Sequence, residues 1–313
     1  MTIEICNFCG QTKDQVESMV TSRGLYICNE CVDSSQDIMK RNRHKLNSLD
    51  KESSFEEVND FYRNKIQKIK KEIIGQDQLV SKLSFFEKKI TQYNGNNKPN
   101  LFISGDTGTG KTFSVEKFFK SSPINFVKFN ASTLTPSGYR GNNIDDLIRK
   151  ISYSQANNDY PTVVYLDEID KLILKKADLS GDLFSELLAF IEGDEGDVSY
   201  HSNNKNSDLE FGTFDLSNVF FIFSGAFQGH NIKSKVDLIS KFPNTVGIQE
   251  FAGRITSFTH TNPIDKDLMI KILKSEKGSL MKLVNSLKNN GITLEINDKF
   301  LNKFYNLMNN SIF

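Results

Sequence analysis

Short apolar runs recur through the middle of the chain and alternate with amphipathic segments. The runs are 101–103, 126–127, 163–166 and 220–223, and glycine, proline, asparagine or charged residues flank each one, as is usual for buried strands. Helical patterns lie between the runs, and the clearest places five apolar residues on one face: Leu183, Phe184, Leu187, Leu188 and Ile191. Strands that alternate with helices predict an α/β fold built on a parallel sheet.

Changes in composition divide the 313-residue chain, which is long enough for one large core with small satellites. We predict four parts: a small metal-binding domain at 1–45, a polar linker at 46–54, a large α/β domain at 55–261 and a small domain at 262–313. The large domain opens with an amphipathic helix at 55–71. The small domain has the pattern helix, short strand, helix, and the polar, glycine-containing segment 191–214 is expected to be a surface loop or a hairpin.

The overall charge is balanced, with 39 lysine and arginine residues against 39 aspartate and glutamate residues. A strongly basic chain would have favoured a nucleic-acid partner, so no such partner is expected. The chain has no run of 18 apolar residues, and its first residues lack a basic stretch followed by an apolar one. Neither a transmembrane helix nor a secretory signal is therefore predicted, and we expect a cytoplasmic protein with no membrane partner.

All four cysteines lie in the first 31 residues, as two Cys-x2-Cys pairs. Cys6 and Cys9 form the first pair, Cys28 and Cys31 form the second, and 18 residues separate the pairs. This spacing indicates a zinc site, because each pair offers two thiolates from one tight turn and four thiolates complete a closed, structural tetrahedron. Disulfides are disfavoured in the reducing cytosol, and four thiols that bind no metal are the weaker alternative.

Residues 105–112 read GDTGTGKT and match the phosphate-binding pattern GxxxxGK[ST]. The pattern follows the predicted strand at 101–104 and precedes a helical stretch from Phe113, which is the context that such a loop requires. Its glycines let backbone amides face the phosphates of a nucleotide. Lys111 is expected to contact the β- and γ-phosphates and the Thr112 hydroxyl to bind Mg2+. The sequence therefore predicts an ATP site.

A second motif follows about fifty residues later, where the apolar strand at 162–166 ends in Asp167 and Glu168. In a chain with a complete phosphate loop, Asp167 is expected to hold the hydrated Mg2+. Glu168 is expected to act as the general base that polarises the attacking water. A solvated strand end without chemistry is the alternative, and it is the weaker one in this context.

Taken together, these motifs resemble those of the ClpX family of hexameric AAA+ protein unfoldases. The resemblance covers the zinc module and then, in the same order, IIGQ at 73–76, SGDTGTGKT at 104–112, LDEIDK at 166–171, SGAF at 224–227 and EFAGR at 250–254. It implies an AAA+ parallel sheet with flanking helices and a homo-hexameric ring. It also implies ATP, Mg2+ and Zn2+ as cofactors and protein substrates, with the zinc domain recruiting clients or adaptors.

The resemblance also implies roles for single residues. Ile74 resembles the residue that packs on adenine, Ser224 the sensor at the end of a core strand, and Arg254 the arginine finger that reaches a neighbouring subunit's γ-phosphate. A permanently charged, planar guanidinium suits that last role. The expected ATP-binding set is Ile74, Gly105, Asp106, Thr107, Gly108, Thr109, Gly110, Lys111, Thr112, Phe113 and Asp167, with Glu168 and Arg254 catalytic. A core isoleucine and a surface arginine are the alternatives for Ile74 and Arg254.

The segment GYRG at 138–141 resembles the family's pore loop, in which a tyrosine grips the substrate chain. Tyr139 is the expected substrate contact, and Arg140 stands where the family usually has valine. A plain turn is the alternative.

Three departures from the family qualify these expectations. The stretch 227–250 has no IGF-type tripeptide of the kind that docks on the ClpP peptidase, so we do not expect ClpP docking. The segment 192–210 is acidic where the family has a basic loop, which would favour basic substrates. The family's small domain continues into a helix with a GAR-type sensor arginine. No such motif is present in 263–313, so we expect a C-terminally shortened homologue.

The leading interpretation is an ATP-dependent protein unfoldase or remodelling chaperone. The alternative is an ATP-binding regulatory or interfering ClpX-like subunit with weak hydrolysis. A DNA-acting AAA+ motor is disfavoured by the neutral charge and by the aromatic pore-type loop.

Overall fold

A computed structural model describes residues 5–7, 10–22, 25–32, 55–135, 142–155, 160–174, 177–192, 195–200, 210–275, 278–294 and 296–311. The chain divides into two compact units, Met1–Arg63 and Asn64–Phe313. In the first unit, strands β1 (Met19–Ser22) and β2 (Leu25–Cys28) form an antiparallel hairpin after a 3-10 turn at Lys13–Gln15. The predicted linker at 46–54 lies outside the described residues, and the predicted domain boundaries stay predictions.

The remaining strands are β3 (Leu101–Ser104), β4 (Asn125–Asn130), β5 (Thr162–Asp167), β6 (Glu195–Tyr200), β7 (Glu210–Asp215), β8 (Val219–Gly225) and β9 (Ser257–His260). The helices are α1 (Phe55–Lys70), α2 (Asp77–Thr91), α3 (Lys111–Phe119), α4 (Ile144–Gln155), α5 (Ile169–Leu174), α6 (Ala177–Glu192), α7 (Lys235–Lys241), α8 (Ile248–Arg254), α9 (Lys266–Lys274), α10 (Ser279–Asn289) and α11 (Asp298–Ser311). Short 3-10 helices occupy Ala131–Thr133 and Phe227–Gly229.

Five strands form one parallel sheet in the order β4-β5-β8-β3-β9, which confirms the predicted α/β fold. Successive residues of each strand point to opposite faces of the sheet. Phe102 and Phe221 therefore enter one apolar cluster, whereas Ile103 and Ile222 enter a second cluster on the other face. Helices cover both faces, so the central strands are mainly apolar until their carboxyl ends, as is usual for strands buried on two sides.

Helices α4 to α8 contribute to the first cluster and α1 to α3 to the second. The predicted apolar face of α6 is buried as expected, with Leu187 fully inaccessible to solvent. Every predicted strand of the α/β domain forms. Among the described strands of the parallel sheet, the sequence missed β9, whose SFTH sequence is short and half polar. No helix in the described ranges is long and apolar enough to cross a membrane.

The segment 191–214 and the C-terminal part lie outside the parallel sheet. The segment expected to be a loop or hairpin contains the antiparallel pair β6–β7. In the C-terminal part, the expected pattern of helix, short strand, helix is not observed, because the described residues of 263–313 form three helices and no strand. A strand there would need a partner strand to satisfy its backbone groups, and no described strand pairs with this part of the chain.

A buried ion pair attaches α1 to the second apolar cluster. Lys65 donates from Nζ to both carboxylate oxygens of Glu87 at 2.6 Å and to Ser122 Oγ at 2.6 Å. The same ammonium lies 4.3 Å from the ring centroid of Phe118. Burial lowers the pKa of Lys65, and the charge of Glu87 opposes that shift. Each member of the pair is thus costly to bury unless the other is present.

We therefore expect Glu87→Gln to lower the free energy of unfolding by about 3–5 kcal/mol, because it leaves a buried ammonium without its counter-ion. The double variant Lys65→Met/Glu87→Leu removes both charges at similar volume and should be distinctly more stable than the single variant. Urea unfolding of the three chains measures this difference. A single variant as stable as the unsubstituted chain would contradict the interpretation.

Candidate functional site

The phosphate-binding pattern forms the loop between β3 and α3, at the carboxyl end of a central strand of the sheet. Gly105, Gly108 and Gly110 have positive φ angles of 149°, 81° and 88°, and the last two lie in the left-handed region that favours glycine. Gly110 is also the residue that precedes α3. These turns direct the loop into the N-terminus of the helix, where unpaired backbone amides favour anions.

Lys111 occupies the centre of this loop. Its Nζ donates to the carbonyl oxygens of Gly105 at 2.5 Å and Asp106 at 2.8 Å. Burial lowers its pKa, whereas the nearby carboxylates of Asp167, Asp170, Asp106 and Glu168 act in the opposite direction. The ammonium therefore lies among acidic groups and backbone carbonyls, in a position to move toward a polyphosphate when one binds.

The carboxylate of Asp167 joins three structural elements at the end of β5. Thr112 Oγ1, on α3, donates to Asp167 Oδ2 at 2.6 Å. Ser224 Oγ, near the end of β8, donates to Asp167 Oδ1 at 2.6 Å, and the backbone amide of Glu168 donates to the same oxygen at 3.0 Å. Thr112 and Asp167, the two predicted Mg2+ ligands, are thus in direct contact. A hydroxyl and a carboxylate are donors that suit a hard cation.

The Tyr165 hydroxyl contacts the two hydroxyls that donate to Asp167. Its hydroxyl lies 2.7 Å from Ser224 Oγ and 3.4 Å from Thr112 Oγ1. Because the proton of Ser224 is donated to Asp167, the tyrosine is the donor to Ser224. Burial, followed by the charge of Asp167, raises the pKa of Tyr165 well above its usual range, so this hydroxyl stays protonated. Its position inside an apolar run gave no sign of this role.

Glu168 begins the turn from β5 to α5 and has a left-handed backbone, with φ at +57°. Such a conformation is uncommon for a residue with a side chain and is found disproportionately at functional sites. Its Oε2 accepts a hydrogen bond of 3.1 Å from Nδ2 of Asn130, the last residue of β4. Sequence reasoning missed Asn130, because only the parallel pairing of β4 with β5 brings it opposite Asp167.

A cleft opens where these elements meet. Its lining is Thr107, Gly108, Gly110, Lys111, Thr112, Phe113, Asp167, Glu168, Asp170, Lys171, Gly225 and Ala226. Eight of these were predicted from sequence, and the last four were not. Phe113 is 56% exposed although it lies at the cleft. The predicted residues Ile74, Gly105, Asp106 and Thr109 are not part of this lining.

Asp170 is the most unusual of the unpredicted residues. It is 2% exposed, its Oδ2 accepts from the Phe227 amide at 3.3 Å, and its Oδ1 has no hydrogen-bond partner among the described residues. A Cβ atom at position 225 would lie 2.5 Å from that oxygen, so Gly225 is needed for the close approach. Phe227 and Gln228 both have left-handed φ angles. Asp170 therefore stabilises a constrained turn directly after the strand that carries Ser224.

Arg254 lies apart from this cleft, at the end of α8. Its Nη1 donates to the carbonyl of Glu250 at 2.6 Å, and its own carbonyl accepts from Asn100 Nδ2 at 3.1 Å. The guanidinium is thus held against its own helix and does not line the cleft of the same chain. This placement is compatible with the role in a neighbouring subunit that the resemblance implies, which stays a prediction.

In the N-terminal unit, the Sγ atoms of Cys6, Cys28 and Cys31 lie within 4.8 Å of one another, and Cys6 and Cys28 are buried. The Cys28 amide donates to Cys6 Sγ at 3.4 Å. Gly10, with φ at +79°, donates from its amide to the Cys6 carbonyl and forms the turn after the first pair. Thiolates that converge in this way fit a zinc ion held at about 2.3 Å from each sulfur.

Some predicted residues cannot be placed. Cys9, Tyr139 and Arg140 lie outside the described residues. Their predicted roles therefore stay predictions.

Comparison with known proteins adds family evidence to this geometry. Residues 101–247 match the model of AAA, the ATPase family associated with various cellular activities. Residues 4–41 match the ClpX C4-type zinc finger. The chain is also similar to the ATP-dependent Clp protease ATP-binding subunit ClpX of Bacteroides thetaiotaomicron, with 26% identity over 344 aligned residues, covering 94% of this chain and 82% of that relative. ATP, Mg2+ and Zn2+ are the cofactors that these matches and the cysteine cluster imply.

We expect Asn130→Asp to lower kcat for ATP hydrolysis by about tenfold while nucleotide affinity changes little, because it removes the hydrogen bond to Glu168, the predicted general base, and adds a like charge beside it. The new carboxylate still accepts from the Ser132 amide, as Asn130 Oδ1 does at 2.9 Å. Asn125→Asp, at the other end of β4, is the matched control and should leave kcat unchanged. Unchanged kcat in Asn130→Asp would contradict the role of Asn130.

For the zinc site, the purified chain should contain about one zinc ion per chain, and Cys28→Ser should lose it together with the fold of the first 32 residues, since a core this small depends on its metal. Elemental analysis and hydrogen exchange of this unit measure the two effects. Thr21→Ala, an exposed position on β1, is the control and should retain zinc. Retention of stoichiometric zinc by Cys28→Ser would argue against the predicted ligand set.

Proposed function

We propose that this chain, which matches the AAA family model over 101–247 and the ClpX C4-type zinc finger over 4–41, uses ATP hydrolysis to unfold or remodel protein substrates. The observation that carries the proposal is the contact of Thr112 and Ser224 with the Asp167 carboxylate, beside Lys111 and Glu168. It supplies a phosphate-binding amine, a pair of cation ligands and a carboxylate base in one cleft. Phosphoryl transfer to water needs this set of groups.

In this proposal each residue has a separate task. Lys111 and the loop amides bind the β- and γ-phosphates. Thr112 and Asp167 hold Mg2+, which neutralises charge on the phosphate oxygens. Glu168 orients the attacking water and accepts its proton. Arg254, which does not line the cleft of its own chain, stabilises the charge that develops at the γ-phosphate bound by an adjacent ring subunit.

The finer parts of the function rest on the family resemblance. We propose a cytoplasmic homo-hexameric ring in which Tyr139 and Arg140 contact the substrate chain and the zinc finger recruits clients or adaptors. The segment 192–210 carries several carboxylates against only Lys205 and His201. A negative potential of this kind attracts basic segments and repels acidic ones, so basic protein tails are the proposed substrates.

A peptidase partner of the ClpP type is not part of the proposal. The segment 227–250 has no IGF-type tripeptide, and in the structure a 3-10 helix, α7 and the start of α8 occupy it. Remodelling without degradation is therefore the proposed outcome.

Steady-state ATP hydrolysis tests the proposal. Glu168→Gln should lower kcat at least about a hundredfold by removing the general base, and Arg254→Ala should lower it about a thousandfold by removing transition-state stabilisation. Glu116→Gln and Arg149→Ala, in ion pairs with Lys128 and Asp146, are the charge-matched controls and should keep full activity.

The same preparations should form rings in the presence of ATP, which light scattering can measure. Tight ATP binding without turnover and without rings would contradict the proposal and favour a regulatory subunit.

A further inference from the structure

Gln76 is a buried polar residue, 3% exposed, that precedes α2 and that the catalytic steps above do not use. Its side-chain Nε2 donates to the carbonyl of Thr109 in the phosphate loop at 3.1 Å and to the carbonyl of Asn262 at 2.9 Å. Its Oε1 accepts from the Asn262 amide at 2.8 Å. One side chain thus holds the phosphate loop and a backbone segment 186 residues further along the chain.

A second contact joins the same two segments. The hydroxyls of Thr109 and Thr261 lie 2.7 Å apart. Thr109 Oγ1 donates its proton to the Asp106 carbonyl at 2.7 Å, so the hydroxyl of Thr261 is the donor between the two threonines. Thr261 therefore contacts the loop through a directed hydrogen bond.

Two glycines make these contacts possible. A Cβ atom on Gly105 would overlap Thr261 Oγ1, and a Cβ atom on Gly75 would overlap the side chain of Leu268 on α9. Asn262 Nδ2 also donates to the Gly75 carbonyl at 2.9 Å. The phosphate loop, the segment before α2 and the start of the C-terminal helices are therefore packed without space for adjustment.

Thr261 and Asn262 directly follow β9, and α9 begins four residues later at Lys266, capped by Asp265. The sheet fixes Thr261 because its amide donates to Ser104 at the end of β3. Beyond Asn262, the chain leaves the sheet and enters α9, α10 and α11. The Thr109 carbonyl and hydroxyl are therefore hydrogen-bonded, through Gln76 and Thr261, to the point where the chain turns toward the C-terminal helices.

We propose that Gln76 and Thr261 couple nucleotide binding at the phosphate loop to the stability and position of α9. The proposal rests on the nucleotide site of the proposed function and adds the residues through which that site controls the C-terminal helices. Coupling of this kind is reciprocal. If nucleotide stabilises α9 in the position seen in the structure, then that position of α9 strengthens nucleotide binding by the same factor.

Hydrogen exchange with mass spectrometry, on the full chain with and without ADP and Mg2+, tests the coupling. In the unsubstituted chain ADP should slow exchange of the α9 amides, residues 266–274, by about fivefold or more, the lower end of ordinary coupling between sites. In Gln76→Glu, which loses both donors at constant size, the effect should fall below about twofold. In Thr261→Val it should be reduced, and Thr261→Ser should restore it because the hydroxyl is kept.

Thr259→Val is the matched control. Thr259 is a β9 residue that is 2% exposed, and its Oγ1 has no hydrogen-bond partner among the described residues. Losing this hydroxyl should leave the ADP response intact, whereas a role of β9 in stability alone would affect both threonine variants alike. Calorimetry should show that ADP affinity falls in the Gln76 and Thr261 variants. The fall should be no larger than the fold reduction in the ADP-induced slowing of α9 exchange.

The possible results distinguish a failure of the proposed coupling from a failure of the nucleotide site. ADP binding without a response at α9 in the unsubstituted chain, or an equal response in Gln76→Glu and Thr261→Val, would overturn the coupling alone. Failure of the unsubstituted chain to bind ADP would overturn the nucleotide site and the coupling with it.

Discussion

The position of the Asp167 carboxylate is the constraint on which the rest of the site depends. It lies at the end of β5 and is bonded to Thr112 on α3 and to Ser224 on β8. These three residues meet because β5, β8 and β3 are consecutive strands of one parallel sheet, whose carboxyl ends share an edge. Tyr165 fixes Ser224 in turn, so a buried network of hydroxyls sets the geometry of the cation ligands.

The sequence predicted what depends on local pattern. The apolar runs became the central strands, the α6 face was buried, and the α/β fold and the family resemblance were confirmed. Asn130, Tyr165, Asp170 and Gln76 were missed for a common reason. Each acquires its role through a contact with a residue far along the chain, and no spacing rule reports such a contact. The short strand expected in the small domain is absent from the described residues, because a local apolar pattern says nothing about whether a partner strand is available.

Close packing joins the phosphate loop to the start of the C-terminal helices. The glycines that let the phosphate loop turn also let Thr261 and Leu268 approach the backbone. Because Gly105 and Gly75 have no side chain, segments that are distant in sequence can pack closely against them. In the N-terminal unit three cysteine sulfurs converge, and a zinc ion bound there would stabilise a core that is too small to fold alone.

Magnesium-dependent ATP binding tests most directly the claim that Asp167 organises the site. Calorimetric titration should compare the unsubstituted chain with Asp167→Asn, each with and without Mg2+. The account predicts that Mg2+ strengthens ATP binding by about tenfold or more, or about 1.4 kcal/mol, in the unsubstituted chain only. It also predicts similar Mg2+-free affinities for the two chains. An equal effect of Mg2+ on both chains would contradict the account.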